Sequence, residues 1–468
     1  MRHRVIASRF GDWVDPAECF STLCGSAGPA FWLDSGVGAV DGISCLGVGT
    51  RVVTSSSEGG LVDWPSGDIL EGSLFTFLDR QQAAGIDNDD GALFPLGWIG
   101  WLGYELHEES LGTRFGRDSR YPDAAFLFAD RAVVFDHANR QVSLVALGES
   151  WSGELAEWRD DTVRLLAASR GGGRPPVKCQ VAQSARVEHE PWPQPTLAYS
   201  DDDYLKMIEA CQRSIRAGDA YQLCLTTEIR LDLHPDPVNT YLRVRELSPS
   251  HHGGFLRISE VSVLSSSPEK FLSVSAAGLV ESKPIKGTRR RGTSPEEDVA
   301  LRDELLHSEK ERAENLMIVD LVRNDFSRVC DVGSVTVAGL LEVESYAQVH
   351  QLVSTVQGTL APGVSGVDAV KACFPAGSMT GAPKLSAVRL LDHLERRPRG
   401  IYSGAFGYFG LDGSIDLAMT IRSIVIDADG AAIGTGGGIT ALSIPVDELE
   451  ETKIKAAALV RALGLVAL

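Results

Sequence analysis

The sequence predicts a protein in which strands and helices are mixed within one chain, and three observations lead to this prediction. Residues 1 to about 170 contain short apolar runs separated by Gly and Asp clusters, which is typical of strands. From residue 200 onward, segments with helix-capping signals alternate with strand-like runs. Between these parts, residues 171–195 are rich in Gly and Pro, as linkers are. We therefore expect a β-rich lobe over residues 1–180 and a second region over residues 195–468.

Two helices of the second region are marked by their capping residues. Ser200 and the three aspartates after it predict a helix that ends at Gly218, because a serine cap and acidic residues both stabilise a helix N-terminus. Ser308 and Glu311 form a capping-box pattern that opens a helix over residues 309–322. The second helix is apolar nearly all round, so we expect it to be largely buried.

Composition excludes several classes of protein. The 468 residues contain no run of about 18 apolar residues, so we expect no membrane span and, without an apolar signal core near the N-terminus, a cytoplasmic location. The eight cysteines include no C-x-x-C pair, which argues against a zinc site or a disulfide framework. The net charge of −19 argues against nucleic acid as a partner, since phosphate binding needs a broad basic face.

The densest positive segment of this acidic chain is residues 282–292, which carry five Lys and Arg side chains. Pro284 and two glycines predict a strand that runs into a tight loop. Lys286 precedes an arginine run that favours the neutral form of a lysine, and a neutral lysine is a candidate nucleophile. The alternative is a basic surface loop, and these residues alone favour that alternative.

Two predicted helices carry the same acidic spacing. One contains Glu311 and Glu314, and the last helix of the chain contains Glu448 and Glu451, with Lys455 on the same stripe. Glu311 has an ordinary role as a capping partner, and the C-terminal stripe alone is typical of a solvated face. Two Glu-x-x-Glu helices without Cys or His ligands nevertheless suggest a hard divalent cation held by oxygen, and Mg²⁺ fits best.

Gly-rich segments lie between these two helices. Residues 374–384, which include Ser378, offer backbone N–H groups for an anion but lack the spacing of a nucleotide P-loop. Residues 433–439 are similar to a dinucleotide-binding loop, but no βαβ unit precedes them. Arg422 is expected in an apolar strand, where a carboxylate would have to compensate it.

Taken together, these segments resemble the chorismate-utilising enzymes, a family that includes anthranilate synthases, aminodeoxychorismate synthases, and isochorismate and salicylate synthases. The resemblance covers residues 200–468 through several ordered motifs, and the first half more loosely through residues 33–35, 97–105 and 122–126. It implies a single α+β fold in which two large, mostly antiparallel β-sheets stack between helices.

Within the family, the motif at residues 284–288 discriminates between branches. Anthranilate synthases usually carry Ala where this chain has Lys286, whereas lysine there resembles the aminodeoxychorismate synthases. Gln222 stands where isochorismate and salicylate synthases place a lysine that activates water. The resemblance therefore implies amination of chorismate at C4 for p-aminobenzoate and folate synthesis, or for an antibiotic pathway. The alternatives are anthranilate synthase component I, an aminodeoxyisochorismate-forming relative and, more remotely, a non-catalytic chorismate-binding subunit.

The resemblance also implies roles for individual residues. Glu269 would protonate the leaving C4 hydroxyl, and Lys286 would attack C2 to form a covalent adduct that ammonia then displaces at C4. Mg²⁺ would be held by Glu314 and Glu451, with Glu311 and Glu448 beside them. The residues expected to bind substrate are Gly287, Thr288, Ser378, Tyr402, Arg422, Gly436, Gly437, Gly438 and Lys455.

Two further expectations concern ammonia and one departure from the family. A glutaminase would show a nucleophilic Cys in a G-x-C-x-G context, and Cys24 does not fit, so we expect a separate glutamine amidotransferase partner. Many relatives have His where this chain has Gln351. The adjacent His350 would point to the other face of a strand, so no proton-handling role is carried over.

Overall fold

The structure, a computed structural model, describes residues 3–25, 28–49, 51–56, 60–88, 90–113, 117–168, 194–346 and 349–465. Most of the predicted linker, residues 171–193, lies outside the described residues. The strands are β1 His3–Phe10, β2 Ala30–Asp34, β3 Ile43–Val48, β4 Val52–Ser56, β5 Gly60–Trp64, β6 Asp68–Leu70, β7 Ile86–Asp87, β8 Gly97–Leu102, β9 Ala124–Ala129, β10 Arg131–Asp136, β11 Gln141–Leu147, β12 Thr196–Leu197, β13 Gln222–Leu231, β14 His252–Ile258, β15 Val261–Ser267, β16 Lys270–Val274, β17 Leu279–Ser282, β18 Ile285–Arg290, β19 Thr336–Ser345, β20 Val349–Thr359, β21 Gly381–Ala382, β22 Ala405–Gly410, β23 Ile415–Met419, β24 Ser423–Asp427 and β25 Gly430–Ile439. The α-helices are α1 Pro16–Leu23, α2 Leu74–Ala83, α3 His107–Leu111, α4 Glu154–Ala168, α5 Asp201–Ala217, α6 Pro237–Leu247, α7 Pro295–His307, α8 Glu309–Ser327, α9 Gly366–Cys373, α10 Lys384–Glu395 and α11 Pro445–Ala462, and two 3₁₀ helices span Tyr104–Leu106 and Gly377–Met379.

The strands form two large sheets. Sheet I has the order β12-β13-β25-β24-β15-β14-β2-β3-β10-β11-β1-β7, and β21 pairs with β13. Sheet II has the order β18-β20-β17-β16-β23-β22-β8-β9-β4-β5-β6, and β19 pairs with β20. The β1–β7 pair is parallel, and the other pairs between described strands are antiparallel. The predicted α+β class with two large, mostly antiparallel sheets is confirmed.

Strands from both halves of the chain join in each sheet. In sheet I, β2 from the first half pairs with β14 from the second, and in sheet II, β8 pairs with β22. The two predicted regions therefore share both sheets, although their boundary near residue 180 stays a prediction. Such pairings bring together residues far apart in sequence, and the local apolar patterns do not specify them.

The three largest hydrophobic clusters of the described residues lie between the layers. One lies between the sheets and contains Phe31 and Leu256 from sheet I and Trp101 and Phe406 from sheet II. A second lies between sheet I and helices α1, α6 and α11. A third lies between sheet II and helices α2, α8 and α9. The helices therefore cover the outer faces of the two sheets, and none of the described helices is long and apolar enough to cross a membrane.

The capping signals set the helix boundaries. Ser200 accepts a hydrogen bond from the Asp203 N–H, and Gly218 ends α5 in the left-handed conformation, as predicted. Helix α8 starts after its Ser308 cap but continues to Ser327, beyond the predicted end. The prediction that α8 is largely buried holds for one face only: that face packs on β18 and β20, whereas Leu316 on the other face is 43% exposed.

Candidate active site

A cavity of about 500 Å³ lies between the end of sheet I formed by β13 and β25 and the end of sheet II formed by β18 and β20. Helices α8 and α11 contribute the carboxylates of its wall. The structure brings all the predicted site residues to this one cavity, although their individual roles stay predictions. They are Glu269, Lys286, Gly287, Thr288, Glu311, Glu314, Ser378, Tyr402, Arg422, Gly436, Gly437, Gly438, Glu448, Glu451 and Lys455.

Lys286 is presented to the cavity by an irregular strand. The pairing of β18 with β20 shifts register between Lys286 and Thr288, and Gly287 between them has φ +80°. A Cβ at this position would lie 2.7 Å from Leu305 Cδ1 and 3.0 Å from Glu311 Cγ. Gly287 therefore permits both the bulge and the close approach of α8, and this bulge lets the side chains on either side of it face the cavity.

The arginine run that follows Lys286 is paired locally with acidic residues of α7. Arg289 lies 3.0 Å from Glu304, Arg290 pairs with Glu297, and Arg291 lies 2.7 Å from Asp298. The charge of each guanidinium is thus compensated by a carboxylate. The expectation that these arginines act on Lys286 has no support in this arrangement.

Lys286 faces carboxyl groups instead. Its positive charge lowers the pKa of Glu269, Glu314 and Glu451, which come from three different elements around the cavity. The lysine therefore lies within electrostatic reach of each of the three side chains. This position was not evident from its neighbours in sequence.

Glu269 is a buried acid in the turn between β15 and β16. Burial raises the pKa of its carboxyl above the ordinary value, while Lys286 and hydrogen bonds from the Ser378 hydroxyl and the Ile285 backbone act in the opposite direction. A carboxyl with a raised pKa holds its proton closer to neutral pH. Glu269 is therefore chemically suited to the general-acid role predicted for it.

Glu314 and Glu448 are the two buried carboxylates of the helical wall. Glu314 is 7% exposed and Glu448 is 3% exposed. Burial raises the pKa of Glu314 to about 7, against the opposing effects of Lys286 and Lys310. Glu448 accepts a hydrogen bond of 2.7 Å from the Ser443 hydroxyl, whereas Glu314 Oε1 is buried and accepts no hydrogen bond from a described residue.

The carboxylates that line the cavity offer oxygen ligands for a divalent cation. Among the described residues, no three Asp, Glu, His or Cys side chains converge at metal-binding spacing. The buried, unpartnered Glu314 Oε1 nevertheless fits an oxygen-preferring cation, since a carboxylate oxygen so placed requires a cation or a donor. Glu311 and Glu451 line the same cavity, so the residues present can hold such an ion.

Glu451 and Lys455 form an ion pair on α11. Lys455 Nζ lies 2.8 Å from Glu451 Oε1 and donates a 3.0 Å hydrogen bond to the Gly436 carbonyl of β25. Burial raises the pKa of Glu451, but Lys455, Lys310 and Lys286 outweigh this effect and the net pKa lies below its ordinary value. Glu451 is therefore ionised, in contrast with the raised pKa of Glu314.

Arg422 does not lie in a strand, as the sequence suggested, but in the connection between β23 and β24, where its φ is +50°. Its carbonyl accepts a hydrogen bond from the Ser266 N–H, which fixes this turn. Burial lowers the pKa of the guanidinium, while Tyr402 and Glu451 act against the shift. No carboxylate of the described ranges lies within ion-pair distance of Arg422, so its donors are available to an anionic ligand.

The glycines at 436–438 belong to strand β25, as expected for a segment without a βαβ unit. A Cβ at Gly436 would lie 2.3 Å from the Leu225 carbonyl, and a Cβ at Gly438 would lie 2.4 Å from Gln222 Nε2. A Cβ at Gly434 would likewise clash with the ring of Tyr402. The glycines are therefore required by close neighbours, and they leave the backbone itself as the cavity wall.

Gln351 and His350 point to different faces of β20, as predicted. Gln351 lines the cavity, while His350 is buried, with its ring nitrogens 2.8 Å from Ser345 Oγ and 3.0 Å from Asp298 Oδ1. Since His350 is occupied by these partners, it does not replace the histidine that relatives carry at position 351.

Lys310 is the site residue that the sequence analysis missed. It lines the cavity, with its Nζ 3.1 Å from Glu448 Oε1 and 4.0 Å from Glu314 Oε1. The only signal in the sequence was its i, i+4 spacing from Glu314, which is common on solvated helices. Its contact with Glu448 joins α8 to α11 and could not be read from either helix alone.

Comparisons with known proteins agree with this geometry. A family model described as chorismate binding enzyme matches residues 28–461. An aminodeoxychorismate synthase of Streptomyces griseus is 43% identical over 479 residues, covering 99% of this chain and 64% of that protein. One from Streptomyces pristinaespiralis is 42% identical over 462 residues, covering 94% of this chain and 63% of that protein. The crystal structure of anthranilate synthase component I from Streptococcus pneumoniae TIGR4 has a TM-score of 0.73 and 27% identity, covering 97% of this chain and 98% of that chain. The chain thus spans less than two thirds of the length of the two Streptomyces relatives.

Proposed function

The chain belongs to the chorismate-binding enzyme family, and from this premise we propose that it aminates chorismate at C4 to give 4-amino-4-deoxychorismate. The observation that carries the proposal is the convergence of Lys286, Glu269 and Glu314 on one cavity. Two relatives of more than 40% identity are named aminodeoxychorismate synthase, which supports the choice of product. p-Aminobenzoate synthesis, for folate or for an antibiotic, is the pathway proposed for the product.

Substrate binding falls to the positive and backbone groups of the cavity. Chorismate carries two carboxylates, and the unpaired guanidinium of Arg422 is a bidentate donor suited to one of them. Lys455 and the backbone N–H groups of residues 436–438 supply further donors on the same wall. Tyr402, Ser378 and Thr288 add hydroxyl groups. These donors offset the negative field of a chain with a net charge of −19.

Glu269 and Lys286 carry the proposed chemistry. Glu269 gives its proton to the C4 hydroxyl, the C4–O bond breaks, and water leaves. Lys286 gives its ammonium proton to a carboxylate of the cavity, and the resulting amine forms a bond to C2 as the ring double bonds shift. Ammonia then attacks C4, the C2–N bond breaks, and the Lys286 amine is released. The raised pKa of Glu269 supports the first step because burial favours the protonated carboxyl.

A divalent cation, Mg²⁺, is part of the proposal. Glu314 and Glu451 would hold the cation, with Glu311 and Glu448 beside them. The buried Glu314 Oε1, which accepts no hydrogen bond from a described residue, supports this assignment. When bound, it would neutralise the ring carboxylate of the substrate and polarise it toward loss of the hydroxyl. The buried carboxylates of α8 and α11 line that part of the cavity.

Ammonia is proposed to come from a glutamine amidotransferase. No cysteine of the sequence has the G-x-C-x-G context of a glutaminase nucleophile, so the glutaminase active site lies outside this sequence. An ammonium salt would then replace glutamine and its glutaminase in solution. This makes the proposed activity testable with the present chain.

The test is incubation of the chain with chorismate, Mg²⁺ and an ammonium salt, followed by mass spectrometry of the product. We expect 4-amino-4-deoxychorismate. Fluorescent anthranilate would contradict the assignment and favour the alternative supported by the 0.73 TM-score to an anthranilate synthase component I. A hydroxylated product would show that Gln222 does not exclude water-based chemistry.

A further inference from the structure

We propose that Lys310 is the resident counter-ion of the cation site: its ammonium pairs with the wall carboxylates in the metal-free protein and moves away when a divalent cation binds. The inference rests on the metal role proposed above and extends it to a residue that the substrate chemistry does not use. The affinity for the cation would then depend on both α8 and α11, because Lys310 of α8 pairs with Glu448 of α11.

The position of Lys310 is the first support. Its Nζ lies 3.1 Å from Glu448 Oε1 on α11 and 4.0 Å from Glu314 Oε1 on its own helix. Within the described part of the chain, Lys310 is the only cation within 4.0 Å of either carboxylate. The ammonium therefore occupies the space between the two carboxylates that an oxygen-bound cation requires.

The unequal pairing of the carboxylates is the second support. Glu448 accepts hydrogen bonds from both Lys310 and the Ser443 hydroxyl, so the buried charge is compensated. A separation of 4.0 Å is too long for a hydrogen bond, and Glu314 Oε1 remains buried without a donor. Lys310 thus stabilises one carboxylate and leaves the other open to a ligand.

The ammonium and a divalent cation cannot share this space. Mg²⁺ binds carboxylate oxygens at about 2.0–2.1 Å, so an ion on Glu314 with Glu448 beside it would lie within a few Å of Nζ. Two positive charges so close in a partly dehydrated cavity repel each other strongly. The Lys310 side chain is 43% exposed on a flexible stem, so it can swing toward solvent.

Competition of this kind predicts that Lys310 weakens cation binding. In the metal-free protein, the paired conformation is the competing state, and the apparent affinity is reduced by the fraction of molecules that occupy it. A lysine that only stabilised the two helices would have the opposite effect, since its loss would disorder the carboxylates and weaken cation binding. The sign of the change therefore separates the two roles.

The experiment is a titration of the substrate-free chain with Mn²⁺, followed by the electron paramagnetic resonance signal of the free ion. Mn²⁺ takes the same oxygen ligands as Mg²⁺ and is the probe. We expect Lys310→Met to bind Mn²⁺ about tenfold more tightly than the wild type. The matched control is Lys453→Met on α11, which removes the same charge from a pair with Asp201 outside the cavity and leaves the affinity nearly unchanged.

A second measurement guards against misfolding of the variant. Without metal, Lys310→Met should have a lower thermal midpoint than the wild type, and Mn²⁺ should raise that midpoint by more than it does in the wild type. If Lys310→Met does not fold, Lys310→Gln carries the same expectation. If the wild type binds Mn²⁺ and the Lys310 variant binds it equally or more weakly, this inference alone is overturned. No binding by either protein would overturn the metal role as well.

Discussion

Two groups of charged side chains in this molecule differ in how completely their buried polar atoms are paired. The Arg399 cluster consists of Arg399, Glu395 and Glu105, and the cavity cluster consists of Glu314, Glu448 and Lys310. Arg399 donates to both carboxylate oxygens of Glu395 at 2.7 and 2.8 Å and to two backbone carbonyls. Glu105 accepts two backbone N–H groups at 2.7 and 2.9 Å.

The cavity cluster also consists of two glutamates and one basic residue, but its polar atoms are not all paired. Glu314 Oε1 accepts no hydrogen bond from a described residue, and its side chain lines a cavity of about 500 Å³. A buried charge whose polar atoms are all paired is typical of a structural role. A buried carboxylate oxygen without a hydrogen-bond donor, beside a cavity, indicates a place for a ligand. We infer from this difference that the first cluster is structural and that the second is a place for a ligand.

The largest expected effect comes from the Arg399 cluster. Arg399→Met removes the partner of Glu395 and leaves a buried carboxylate without its cation, so we expect a loss of about 3–5 kcal/mol of stability. The urea midpoint of unfolding is the measurement. Loss of activity without loss of stability would break the comparison, because it would give this cluster a functional role.

The next effect belongs to the cavity. Glu269→Gln cannot supply a proton to the leaving hydroxyl, so turnover should fall about 10²–10³-fold while the urea midpoint stays close to that of the wild type. Initial rates of product formation from chorismate and ammonium test this. Full turnover by the variant would remove Glu269 from the chemistry.

A pair of matched variants sharpens the comparison through pH. Burial raises the pKa of both Glu314 and Glu105 to about 7. The unfolded chain loses these protons first, near pH 4.5, so each glutamate destabilises the fold as pH rises toward 7, and the cost is constant above that pH. In metal-free protein at pH 8, Glu314→Gln should therefore add about 2–3 kcal/mol of stability.

Glu105→Gln should gain less stability at pH 8 than Glu314→Gln, because a lost hydrogen bond offsets the relief of the buried charge. Its carboxylate accepts two backbone N–H groups, and an amide NH₂ in place of one oxygen faces a backbone donor at a cost of about 1–3 kcal/mol. Urea unfolding of the two variants across pH 5–8 in the presence of a chelator measures both. Equal gains in the two variants would mean that hydrogen-bond pairing does not distinguish the clusters.

The smallest effect is expected in the arginine run. Arg290 forms an exposed pair with Glu297, so Arg290→Ala should cost less than about 1 kcal/mol and leave turnover unchanged. A clear fall in turnover, measured under the same conditions as for Glu269→Gln, would restore the idea that the run acts on Lys286.

Much of this site could be predicted from sequence because its residues lie in short motifs. Lys286 is set in a Pro-Ile-Lys-Gly-Thr segment, and the paired glutamates follow the Ser308 cap of α8 and the proline that opens α11. Local signals of this kind fix which residue types occur at which spacing, and they located the two helices. The family resemblance then implied that the motifs meet in one site.

The rest depends on contacts between distant segments. The partners of the arginine run lie on α7 and α8, and the contact of Lys310 with Glu448 joins two helices. Arg422 adopts φ +50° in a turn that the sequence predicted as a strand. The Arg399 cluster unites charges from residues 105, 395 and 399. None of these arrangements leaves a periodic signal in the chain, so local reasoning could not find them.

The central claim is that Lys286 reacts with chorismate in this cavity, and intact-protein mass spectrometry tests it most directly. The chain is incubated with chorismate and Mg²⁺ without ammonia. We predict a mass increase equal to chorismate less one water in the wild type and in Lys283→Ala, whose lysine pairs with Glu344 outside the cavity, and no increase in Lys286→Ala. The same increase in Lys286→Ala, or none in the wild type, would contradict the account.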